Sequence, residues 1–189
     1  MQRWLPAVLM IVLLAGFRLI GSAMPETLPN FQPLPALLLC GIIFLKGRQR
    51  WLLPLVAWGI TDPLTSLLQG NAIFGWHHLE IGLGLAATVG IALKIRRSPS
   101  WINLLAGAVL SAVAFYFLCN LVSFVVDPLY SKTLAGFAQA QWTGPAGYSP
   151  TWVFLRNLLA ANLVFTAVFC LAHRSLPAGL TKTAPAVAR

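Results

Sequence analysis

Six apolar runs constrain this chain more than any other feature. They fall at roughly 4–23, 34–45, 51–69, 78–95, 101–126 and 150–172. A helix rises 1.5 Å per residue, so about 20 residues cross a hydrocarbon core of about 30 Å. Only 9% of the 189 residues are charged, whereas soluble domains carry about 25%. Hydrophobicity this high also excludes disorder. The expected fold is all-α: an integral membrane bundle of six transmembrane helices over residues 1–176, followed by a flexible cytoplasmic tail at 177–189. Cys40, Cys119 and Cys170 all lie inside apolar runs, so no disulfide framework is expected.

The charges give the bundle an orientation. Dense basic clusters occur at Lys46-Gly47-Arg48-Gln49-Arg50 and Lys94-Ile95-Arg96-Arg97, after the second and fourth runs. With Arg3, Arg174, Lys182 and Arg189, ten of the thirteen basic residues collect on one face. The positive-inside rule makes that face cytoplasmic, with both termini inside. The net charge of +9 therefore points to membrane topology and not to a nucleic-acid partner. Arg3, the first apolar run and Gly21-Ser22-Ala23 resemble a signal peptide. Arg18 interrupts the run, so the segment is expected to stay as the first spanning helix. The three outward connections are 24–33, 70–77 and 127–149; elaborate loops usually carry function.

Polar residues within the spans fall at one depth. Arg18 lies about 21 Å up the first helix and Asp62 about 16 Å up the third. Arg156 and Asn157 lie about 9–11 Å below the outer end of the last helix. Glu80 and Asn120 belong to the outer parts of the fourth and fifth. This pattern suits an outward-facing pocket. A proton path or channel needs polar groups through the full thickness. The second run covers only about 18 Å, so Pro29-Asn30-Phe31-Gln32-Pro33 must dip into the membrane. Irregular backbone at that depth is tolerated where it is buried in protein or lines a cavity, which makes Asn30 and Phe31 wall or lid candidates. Asp62-Pro63 predicts a kinked or broken helix, and Asp127-Pro128 predicts the start of a short helix reaching Gln139.

Other clusters are weaker. His77-His78 with Glu80 suggests a metal, but adjacent histidines do not share a helical face, so interfacial histidines at a helix cap are the preferred reading. Trp4, Trp51, Trp101 and Trp152 sit at span ends as an aromatic belt. Gly82, Ala86 and Gly90 form a small-residue stripe for close helix contact, either inside the bundle or with a docked membrane subunit. No Ser-His-Asp order, HExxH, phosphate-binding or dinucleotide motif is present. The chain is therefore expected to be no enzyme and to carry no cofactor or metal.

The segments Asn30-Phe31-Gln32-Pro33, Thr61-Asp62, Asn120, Tyr130-Ser131-Lys132-Thr133-Leu134-Ala135-Gly136-Phe137 and Trp152 with Arg156-Asn157 resemble a family of uncharacterised bacterial membrane proteins. That family is similar to the substrate-binding S components of energy-coupling factor vitamin transporters. The resemblance covers roughly residues 18–172, with one departure: Asn162 stands where an acidic residue is expected. It implies an outer pocket for a vitamin-like solute in the bacterial inner membrane, and an energising membrane subunit with ATPases as partner. Arg18 and Arg156 are then expected to hold an anionic group, balanced by Asp62. Asn30, Asn120 and Asn157 are expected to hydrogen-bond, with Glu80 and Lys132 at the site and Phe31, Tyr130 and Trp142 closing over it. The rival is a membrane scaffold with a sealed polar core and no solute.

Overall fold

The computed structural model describes residues 5–24, 28–45, 47–70 and 72–175, including all side chains but those of 5–11, 14, 53 and 172–175. The expected tail at 177–189, Arg3 and Lys46 lie outside the described residues. The described residues form seven helices and no strand: α1 (Leu5–Ala23), α2 (Leu34–Phe44), α3 (Gln49–Leu68), α4 (His77–Ile95), α5 (Trp101–Val126), α6 (Leu134–Gln141) and α7 (Thr151–Ser175). By length and composition, Gln49–Leu68, His77–Ile95, Trp101–Val126 and Thr151–Leu171 are long and apolar enough to cross a membrane, which marks a membrane protein. Their outer faces carry exposed large apolar side chains such as Ile60, Leu67, Ile102 and Val125. A soluble monomer rarely exposes an apolar surface this extensive.

The shortest apolar helix lies at the centre. Every residue from Pro33 to Ile42 is buried, and α2 packs against α3, α4, α5 and α7. It is apolar all round because it has no solvent or lipid face. At 11 residues it covers only about 17 Å, so it does not cross a bilayer alone. Lipid tails are as apolar as leucine, so close packing holds such a bundle together more than transfer from water does. Glycine allows the closest approaches. A Cβ on Gly84 of α4 would lie 2.4 Å from the Phe115 ring of α5, and one on Gly107 of α5 would lie 2.2 Å from Ile95. The Gly82-Ala86-Gly90 stripe does not make the internal contact: all three residues are exposed, and added Cβ atoms on Gly82 and Gly90 would meet nothing within 4 Å.

Two expected boundaries change. The helix predicted to kink or break at Asp62-Pro63 runs without a break as α3, with Pro54 and Pro63 inside it. Thr61 Oγ1 donates to the Ala57 carbonyl at 2.7 Å and Thr65 Oγ1 to the Asp62 carbonyl at 2.9 Å. Neither bond reaches the Gly59 carbonyl, the group that Pro63 leaves without its helical donor. The short helix after Asp127 starts later than expected, at Leu134. Asp127 instead forms a turn in which its Oδ1 accepts from Leu129 N at 2.8 Å. Thr133 is the actual cap, its Oγ1 accepting from Gly136 N at 3.1 Å. That bond satisfies one of the unpaired amides of the first turn.

Candidate functional site

A cavity of about 620 Å³ opens at one end of the bundle. The last turns of α1 and α3 contribute Arg18, Gly21, Ser22, Asp62, Thr65, Ser66 and Gln69; α4 contributes His77 and Ile81, α5 contributes Phe115, Tyr116, Cys119 and Asn120, and α7 contributes Phe154. The segment entering α2 supplies Asn30, Phe31 and Gln32. This end lies opposite the 47–50 and 94–97 connections, because α3 runs from its basic start toward the cavity and α4 runs back.

Asp62 organises the wall. Its Oδ1 accepts from Arg18 at 2.5 Å and from Trp58 Nε1 at 3.0 Å. Arg18 also reaches Thr61 Oγ1 at 3.4 Å. Both charged side chains are nearly fully buried. Neither charge is tolerable alone at that depth, and pairing them removes the larger part of the penalty. The other carboxylate oxygen, Oδ2, makes no hydrogen bond and lies 3.2 Å from His78 Nε2 and 3.7 Å from His77 Nε2. The two adjacent histidines therefore converge despite the 100° between successive helical side chains. A carboxylate placed between the diverging rings can be approached by both.

The expected wall residues of the 28–33 segment do line the cavity. Asn30 has a left-handed backbone, φ 57°, a conformation that asparagine tolerates better than most residues. Its Oδ1 accepts from Gln32 Nε2 at 2.6 Å. Phe31 is a wall and not a lid: its ring packs with Phe17 and Phe165, with centroids at 6.2 and 6.4 Å. Asn120 lines the cavity with its amide beside the Tyr116 hydroxyl. The Tyr116 hydroxyl donates to the Gln141 carbonyl and ties α5 to the end of α6.

Six expected site residues are not brought to the cavity. Arg156 is exposed on α7, its guanidinium over the Trp152 ring at 5.6 Å. Asn157 is buried and gives its Nδ2 proton to the Pro29 carbonyl at 2.9 Å, so it anchors the wall segment instead of a ligand. Glu80 accepts from Ser123 across the α4–α5 seam at 2.8 Å. Lys132 donates to the Phe124 and Asp127 carbonyls, which satisfies the end of α5. Tyr130 is buried; burial raises its phenol above the usual value, and Asp127 nearby acts the same way, so the ring stays neutral. Trp142 is 60% exposed, away from the cavity.

Sequence reasoning missed Thr65, Ser66 and Gln69. Their spacing from Asp62, at i+3, i+4 and i+7, is a polar stripe on one helical face, and that signal was present. Arg18, Gly21 and Ser22 repeat it on α1. His77 lines the cavity as well, a placement that its position at a helix cap does not predict.

Neither curated proteins nor solved structures yield a match to this chain. A family model does match residues 1–183, nearly the whole length, and on that match the chain belongs to a family described as one of unknown function, DUF6580.

Proposed function

We propose that this protein binds a small polar solute in the cavity and serves its uptake across the bacterial cytoplasmic membrane. In this reading it is a transport component and not an enzyme. Six segments span, the second being α2 together with the 28–33 segment that enters it. The basic connections face the cytoplasm, so the cavity opens outward. In this reading the bundle would work as the S components of energy-coupling factor transporters do. No nucleotide-binding motif is present, so ATP-driven movement falls to a partner membrane subunit with ATPases, and the exposed Gly82-Ala86-Gly90 face of α4 is where such a subunit would pack closely.

The cavity carries this reading. Its volume of about 620 Å³ falls within the roughly 300–1,000 Å³ of small-molecule sites. Its wall mixes a paired Arg18 and Asp62, the amides of Asn30, Gln32 and Asn120, the hydroxyls of Thr65 and Ser66, and the rings of Phe31 and Phe115. That chemistry suits a vitamin-sized molecule with hydrogen-bonding edges and a flat apolar face. Asn120 is the clearest direct ligand, because its amide lines the cavity beside the Tyr116 hydroxyl.

A thermal-shift screen of vitamins and their precursors on the detergent-purified protein tests this, with native mass spectrometry for a co-purified molecule. One compound should raise the melting temperature of the wild type. Asn120→Ala should stay folded and bind that compound about 5–10-fold more weakly, the equivalent of roughly 1–1.5 kcal/mol for a hydrogen bond. A folded protein with no co-purified molecule and no shift from any compound would favour the scaffold.

A further inference from the structure

We propose that Asp62, His77 and His78 form a binding site for a divalent transition-metal ion of the zinc class at the cavity wall. The three ligand atoms lie within 4.8 Å of one another. Two imidazoles and one carboxylate are a donor set that zinc accepts, with three protein ligands and a fourth position left open. For tetrahedral bonds of 2.0–2.1 Å, neighbouring ligand atoms should be about 3.3 Å apart. The Oδ2–Nε2 separations of 3.2 and 3.7 Å bracket that spacing. Both rings are about one-third exposed, 31% and 30%, so small rotations can bring the nitrogens onto one ion.

Two further observations point to a ligand. Asp62 Oδ2 and His77 Nε2 are buried and make no hydrogen bond. His78 Nε2 lies 3.2 Å from the same carboxylate oxygen. Supporting contacts match those that hold metal ligands in place. Asp62 Oδ1 is held by Arg18 and Trp58, which leaves Oδ2 pointing at the histidines. His78 Nδ1 lies 3.3 Å from the Gly75 carbonyl. The Gly75 N–H also reaches Nδ1, at 3.4 Å, so the Gly75 peptide orients the ring in either tautomer, and the tautomer with its proton on Nδ1 leaves Nε2 free to bind an ion. Gly75 also makes room for His77: an added Cβ would lie 3.1 Å from its Nδ1. Asp62 and His77 both line the cavity, so the open position faces it. The site stands on this geometry and does not depend on the solute-binding reading.

Tag-free, full-length protein in detergent, treated with a chelator and dialysed, should bind one zinc ion per chain by calorimetry. Cobalt in its place should give the visible absorption of a tetrahedral centre. His77→Ala and His78→Ala remove partly exposed rings and should leave the fold intact while weakening zinc on the order of 100-fold or more. Trp58→Phe, a supporting contact, should cost about 10–100-fold. His173→Ala, on the last helix, should change nothing. Substoichiometric zinc in the wild type, or undiminished zinc in the folded His77→Ala/His78→Ala double variant, would overturn the site.

Discussion

Asp62 uses its two oxygens differently. Oδ1 is saturated by Arg18 and Trp58, and Oδ2 faces the histidines. The carboxylate is thus paired with Arg18 on one side and faces two imidazoles on the other. Removing it leaves Arg18 buried without its counter-ion, and breaking a buried pair from one side costs about 3–5 kcal/mol. Asp62→Leu should accordingly lower the melting temperature strongly. Asp62→Asn, which can still accept from Arg18 and Trp58, should lower it less. Equal losses from the two variants, measured in detergent, would mean that the Arg18 contact is not what holds α1 to α3.

At the level of an element, the Tyr130-Ser131-Lys132-Thr133-Leu134-Ala135-Gly136 segment shows how a motif that looks functional can be structural. Lys132 closes the end of α5, Thr133 caps α6, and Gly136 fits beneath the backbone that precedes it. An alanine Cβ at 136 would sit 1.9 Å from the Ser131 carbonyl oxygen. That contact is with backbone, which cannot rotate away. Gly136→Ala should therefore destabilise the protein by about 1–3 kcal/mol or more, the range for overpacking. Gly82→Ala makes the opposite comparison: its Cβ meets open space, and the gain in helix propensity is up to about 1 kcal/mol. Melting curves of the two variants should move in opposite directions. A neutral Gly136→Ala would show that the turn before α6 relaxes freely.

Across the whole molecule, the polar end and the basic end lie at opposite tips of the bundle. The positive-inside rule turns that into an orientation. A membrane-impermeant maleimide applied to intact cells should label Tyr148→Cys, an exposed residue at the cavity end. It should not label Arg97→Cys, an exposed residue at the other end. The native thiols interfere little, because Cys40 and Cys170 are buried and Cys119 is partly so. Labelling of Arg97→Cys from outside would place the cavity on the cytoplasmic side and remove the basis for uptake.

The helices were legible in the sequence almost residue by residue, because apolar run length and basic punctuation are local properties. The expected run at 34–45 is α2, and that at 101–126 is α5. That Asp62 needs a cationic partner, Arg18 or Arg156, was also legible, since a charge at that depth must be paired; only the structure decides for Arg18. The sequence did not reveal which of the other polar residues share the cavity. Arg156 and Asn157 sit at the right depth, yet Arg156 points outward onto Trp152 and Asn157 holds the Pro29 carbonyl. Depth follows from position along a helix, but the direction a residue faces depends on how each helix is rotated against its neighbours. Packing sets that rotation, through close approaches such as Gly84 on Phe115. The meeting of His77 and His78 with Asp62 was decided in the same way: α3 and α4 both pack on α2, which sets how the rings at the start of α4 reach Asp62.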